Sequence, residues 1–183
     1  MALPKITITQ TTGNLGRTTD SLDGVSLLIA TGVAVGGSFA LNDILGPFTS
    51  LKDAEDLGID AAYDDTNTCL VWHHVRDFYA EADSLGVKGI QLYVQVVAKT
   101  VLMSTMCDNT STLYIKKVLQ VAGGKIRLVG VSRIPDGAYT PTYTNQIEAD
   151  ILTAMTNLQA MWVAEQALHR PFQAIVEGRN PLL

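Results

Sequence analysis

Cys69, His73 and Asp77 stand at i, i+4 and i+8, so on a helix they share one stripe. Ligands spaced i, i+4 can hold part of a zinc site, but zinc needs a third or fourth ligand. The remaining histidines do not supply it. His74 points about 100° away from His73 on a helix, and His169 has no second Cys or His near it in sequence. The stripe reads as a polar flank beside an apolar face, with His74 at the core edge near Leu70 and Phe78, and no metal or other cofactor is assigned. Nucleophilic catalysis has equally little to stand on. Cys107 can meet a histidine only through the fold, no Gly-x-Ser-x-Gly elbow exists, and Ser104 lies in a segment without a clear period. A hydrolase built on Cys107 or on the His73/Asp77 stripe is the weakest reading. The carboxylate pairs Asp64-Asp65 and Asp53/Asp56 fall at helix starts or solvated faces, where compensation of the helix dipole accounts for them.

Phosphate chemistry would need a glycine-rich loop opening onto a helix. Gly32-Val33-Ala34-Val35-Gly36-Gly37-Ser38 follows a strand, but Gly37 stands where a phosphate loop has lysine, and Phe39-Ala40-Leu41-Asn42 is a poor helix start. No Gly-x-Gly-x-x-Gly is present. Gly123-Gly124-Lys125 falls at a helix's end, where the dipole repels phosphate. These glycines read as turns between elements.

The elements around them alternate in type. Lys5-Ile6-Thr7-Ile8-Thr9-Gln10 alternates apolar and polar residues, like a strand with one buried face. Beyond a Gly/Thr loop it has two readings: an edge strand of its own sheet, or an arm that adds to a neighbour's. Gly24 to Thr31 is a near-continuous apolar run, hence a buried strand. Ser50 caps a short helix over 51–57, with Asp53 three residues on and Gly58 behind it. A helix with Asp65, Thr66 and Asn67 as cap candidates follows, placing Val71, Val75, Phe78, Ala82 and Leu85 on one face, with Cys69 packed inside it. Gly89 to Val97 is the strongest strand, 113–122 a helix stopped by Gly123-Gly124, and 125–131 another strand. The segment 99–109 contains at most a helical turn. The last helix, about 145–169, carries the stripe Ile147, Ile151, Met155, Leu158 and Trp162, with Asn145 and Glu148 as a capping box. Pro171 to Glu177 returns as a strand. Such alternation predicts an α/β fold, a mostly parallel or mixed sheet with helices on both faces. Residues 1–20 are assigned to an N-terminal strand or arm and 21–183 to one domain.

Composition bounds what this fold does. Hydrophobic residues make up 47% and charged residues 17% of the 183 residues, enough for a sizeable core. With net charge -5 and scattered basic residues, no cation cluster is available for nucleic acid. Two cysteines do not build a secreted disulfide framework. The first residues lack a signal peptide's apolar stretch, and no run has the roughly 18 apolar residues of a membrane helix, so synthesis in the cytosol is expected, without membrane insertion. The methionines 103, 106, 155 and 161 and both tryptophans read as core, except that Trp72 lies beside the Val71/Val75/Phe78 stripe, where a half-exposed Trp is a favoured interface anchor.

Four stretches, in order, resemble phage contractile tail sheath proteins, in particular the sheath-like proteins of phages and prophages. They are the "Ser-Leu-x-Asp-Ala" helix within 46–59, the helix His74–Tyr79 followed by "Gly-x-x-Leu-Tyr-Val" at 89–94, the Ala122–Val131 segment, and the final helix leading to Pro171-Phe172 and Val176–Arg179. The resemblance spans roughly 25–179. It implies a structural subunit, not an enzyme, that self-assembles into rings or a helical sheath around a tail tube protein and contracts by subunit rearrangement. It also implies a place in the virion tail, after synthesis in the host bacterium, and no catalytic residues to transfer. Sheath proteins usually continue into further strands and a C-terminal arm, and this chain stops at Leu183. Terminal arms extend neighbouring sheets in that family, so Lys5, Ile6, Thr7, Ile8 and Thr9, with Trp72, are the expected contact residues. The reading from another class is a small-ligand or nucleotide-binding α/β module, with its site at the C-terminal ends of the strands.

Overall fold

A computed structural model describes residues 25–178. The Lys5–Gln10 strand and the 1–20 arm fall outside them. Helices lie on both faces of a mixed sheet, as the alternation predicts. The strands are β1 (Val25–Gly32), β2 (Ile44–Phe48), β3 (Gln91–Ala98), β4 (Leu128–Ser132) and, last in the chain, the strand Gln173–Val176. Their order across the sheet is β2, β3, β1, β4 and Gln173–Val176; only β2 runs antiparallel. Every residue of the central strand β1 is buried, which is why it is apolar without alternation.

One face of the sheet is covered by α1 (Leu51–Glu55), α2 (Ala61–Asn67) and α3 (Val71–Ser84). Leu28, Val94 and Val96 from the sheet meet Val71, Val75 and Ile59 there. The other face is covered by α4 (Met103–Met106), α5 (Ile115–Val121) and α6 (Ala149–Ala167), against Leu27, Ile29, Val97 and Val129. Between β4 and α6 a small hairpin intervenes, β5 (Tyr143–Thr144) and β6 (Ile147–Glu148), so the final strand is β7.

Several boundaries differ from the sequence reading, each for a local reason. Asp65, Thr66 and Asn67 do not cap α3; they close α2, which Asp60 opens by accepting from the Tyr63 amide at 2.8 Å. Cys69 consequently lies in the link between α2 and α3, not in a helix. Leu85 is 75% exposed, and Tyr79 takes the buried place on α3 instead. Asn145 does not cap α6. It and Gln146 adopt φ of 51° and 66°, the paired left-handed geometry of a two-residue hairpin turn, which delays the helix to Ala149. Ser50 is the N-cap of α1 as expected, and the Asp53 carboxylate three residues on accepts from the Ser50 amide at 3.1 Å.

Candidate functional site

The stripe on α6 has an unexpected use. Ile151 and Leu158 are buried, but Met155 is 55% and Ile147 42% exposed. All four, with Trp162, line a groove of about 1050 Å³ between α6 and β7. The methionine reading is corrected at Met155 alone: Met103, Met106 and Met161 are core. Helical periodicity reveals that a face is apolar; it does not reveal whether the chain itself covers that face.

α6 is fixed at three levels along its inner side. In its first turn the Asp150 carboxylate accepts from the amides of Met103 at 2.8 Å and Ser104 at 3.2 Å. Midway, the Asn157 amide donates to the Ser104 carbonyl at 2.9 Å. Near its end, Glu165, only 1% exposed, accepts from Lys116 of α5 at 2.8 Å. A buried guanidinium anchors the hairpin beside it. Arg133 lies 3.6 Å from Glu148 and 3.8 Å from Asp150, and its Nε donates to the Val101 carbonyl at 2.9 Å. Its face packs 3.9 Å from the Tyr139 ring, whose hydroxyl donates to Glu148. Burial pushes that phenol up, and the Glu148 carboxylate adds to the effect.

β7 supplies the other wall. The Gln173 amide donates to Arg127 at 2.8 Å and the Glu177 amide to Val131 at 3.0 Å. In a parallel ladder alternate residues bond to opposite neighbours. The N–H and C=O groups of Ala174 and Val176 therefore face away from β4, and among the described residues no strand pairs with that side. The side chains of Phe172 and Val176 pack on the α6 layer, and Ile175, 63% exposed, lies on the opposite face. Among the described residues no charged side chain lines the groove. Its polar members are the amides Asn145, Gln146, Gln159 and Gln173. From Ile151 to Trp162 it extends about 16 Å at 1.5 Å per helical residue, the length of a five-residue strand at about 3.3 Å each.

The residues picked out by spacing behave differently. Cys69, His73 and Asp77 do not form a stripe. Asp77 is exposed and holds Arg76 at 2.7 Å, while Asp64 takes its place in the cluster. Asp64 accepts from the Cys69 thiol at 3.2 Å and from the His73 backbone amide at 2.9 Å, and its Oδ2 lies 2.9 Å from His73 Nδ1. That carboxylate caps α3 from outside the helix. Burial, reinforced by Asp64, pushes the Cys69 thiol up to about 12, the reverse of what a nucleophile needs. Cys107 is wholly buried, and burial pushes it to about 12 as well. Among the described residues, no three or more His, Cys, Asp or Glu side chains gather as metal ligands.

At the C-terminal ends of the strands the polar groups satisfy one another. Thr31 Oγ1 donates to the Ile134 carbonyl and accepts from its amide, at 2.9 and 2.7 Å. His74 is half-buried on α3, and its Nε2 is 2.9 Å from Ser132 Oγ, which lies 2.7 Å from Glu177. Trp72 is on the α1–α3 layer, away from the groove. Half-buried, its indole N–H donates to Glu55 at 3.2 Å and Arg76 lies 5.0 Å over its ring. The five residues 5–9 lie outside the described structure. The groove was missed in sequence because its two walls come from separate stretches, 145–162 and 172–178, and α6 reads as core.

Among the described residues, fold and groove together define an α/β domain whose last strand has no outer neighbour and is flanked by an apolar groove. The chain belongs to the DUF2586 family, whose N-terminal domain it matches over residues 3–182. No curated protein and no solved structure matches it. No helix among the described residues is long and apolar enough to cross a membrane.

Proposed function

We propose that this chain is a structural subunit of a phage or prophage contractile tail sheath, assembling helically around a tail tube protein and contracting by subunit rearrangement. One observation supports the reading: among the described residues the strand edge at Ala174 and Val176 is unpaired, and it lies beside an apolar groove with the length of a short strand. Strand addition supplies main-chain hydrogen bonds for affinity and side-chain pockets for register. A groove of this kind accepts a different surface of the next subunit, so the contact is head-to-tail. Repeated by a screw rotation, such a contact builds a tube. Trp72, on the opposite face of the sheet, offers a chemically distinct patch for a second contact.

The thiols are held protonated, and the polar groups at the strand ends are paired with one another, so an interaction role suits these residues better than a catalytic one. Negative-stain micrographs of the full-length protein at high concentration are expected to show rings or tubes. A strictly monomeric full-length protein under those conditions overturns the reading.

A further inference from the structure

We propose that Ser132 is a proton-directed joint that latches the end of β7 to α3. It gives its one hydroxyl proton to Glu177 and requires His74 to present Nε2–H, so the hold on the last strand is set from the opposite helical layer. This goes beyond the sheath reading and does not depend on it.

Strand alternation brings the three residues together. Val131 and Val176 are register partners in β4 and β7, and both pack on the α6 layer. Successive side chains point to opposite faces, so Ser132 and Glu177, one step further, turn to the α3 layer. There His74, in the first turn of α3, brings its Nε2 to 2.9 Å from Ser132 Oγ. Oγ in turn lies 2.7 Å from Glu177 Oε2, which also accepts from the Arg133 amide at 3.2 Å. Arg133 points its side chain the other way, to Glu148 and Asp150. Glu177 thus touches two adjacent residues, each of which reaches one helical layer.

Proton counting sets the direction. A carboxylate only accepts, and a serine hydroxyl has one proton to give. Once that proton is on the Glu177 side, the ring nitrogen facing Oγ must be the donor. A ring protonated on Nδ1 alone would set the lone pairs of Nε2 and Oγ against each other. Two further features make the contact a latch. β7 is only 4 residues long, so one bond at its end is a sizeable part of its hold. The first turn of α3 is itself pinned, because Asp64 accepts from the His73 amide at 2.9 Å, so His74 is presented from a fixed platform. Trp72 belongs to that same turn, with Arg76 5.0 Å over its ring. A contact made on Trp72 therefore reaches the last strand through one imidazole.

The first test uses the unaltered full chain. Long-range nitrogen–proton NMR spectra, taken where the histidine rings are neutral, are expected to show His74 protonated on Nε2. A proton on Nδ1 instead overturns the proposal. The second test is amide hydrogen exchange at the two ends of β7. The Glu177 amide donates to Val131 at 3.0 Å and the Gln173 amide to Arg127 at 2.8 Å. His74→Phe removes the donor, and exchange at Glu177 is expected to quicken roughly tenfold while Gln173 keeps its rate. His74→Gln, whose side-chain N–H can stand in for Nε2–H, should restore most of the protection. Ser132→Ala removes the joint and should give the same one-ended pattern, and it decides the matter if His74→Phe does not fold. Equal quickening at both ends, which marks a general loss of stability, or no change at Glu177 overturns the latch.

Discussion

The sheet has two outer strands, and they treat their edges in opposite ways. β2 is antiparallel, carries Pro47 with no amide hydrogen to offer, and breaks its register with β3 between Leu45 and Phe48. Proline and a bulge both blunt an edge against further pairing. β7 is parallel, unbroken over Gln173–Val176, free of proline and charge, and flanked by a groove. The two sides therefore differ: one is closed by its own chemistry, while on the other, among the described residues, the outward amides of Ala174 and Val176 have no neighbouring strand, so this is the side that would receive one. An assembling protein with two open edges would lengthen without control.

The largest expected effect removes a wall of the receiving side. Lys116→Met leaves Glu165 buried without its partner, which costs about 3–5 kcal/mol. Denaturant unfolding should show that loss, and the double variant with Glu165→Met should recover most of it. Next, Ala174→Pro deletes an outward amide that β4 does not use. Fold stability should change modestly, while self-association of the full-length protein, read by light scattering against concentration, should drop tenfold or more. If association survives, the two edges differ less than the structure indicates.

On the closed side, Gly46 has φ 98° and a Cβ there would meet the Phe48 amide nitrogen at 2.6 Å and the Leu92 carbonyl oxygen at 2.7 Å. Gly46→Ala should therefore destabilise the protein by about 1–3 kcal/mol and loosen β2 first, seen as faster amide exchange at Leu45. The smallest effect is at the corner after β2. The Thr49 amide, donating at 2.6 Å, holds the Asp53 carboxyl below its ordinary 3.8. A carboxyl depressed in the folded state stabilises above its unfolded value, and that contribution is lost as pH falls through the folded one. Thermal unfolding should show Asp53→Asn costing about 1 kcal/mol at neutral pH and nothing in strong acid.

The contrast between the edges also measures what the sequence disclosed. β1 was readable as an unbroken apolar run of 8 residues, β3 from its β-branched and aromatic content over 8, and α3 from its helical period over 14. β2 was not, since a proline and a bulge erase the strand signal that makes it an edge in the first place. α2 was hidden by its length of 7 residues and by polar residues that read as the start of its successor. On α6 the stripe was correctly placed from Ile151 onward, with Ile147 falling in β6 instead, but its neighbour was not: Ile151 and Leu158 are covered by the chain, while Met155 is exposed. The groove arises where β7 meets that stripe, a tertiary fact without a local signature.

The position of β7 in the chain carries one more consequence. Translation completes β4 some 40 residues before it reaches β7. At roughly 5–20 residues per second the wait is about 2–8 seconds. Throughout it β4 stands without the neighbour that β7 supplies, so a strand from another nascent chain can reach that side first. Spacing of ribosomes on the message then becomes a variable that decides which chains meet.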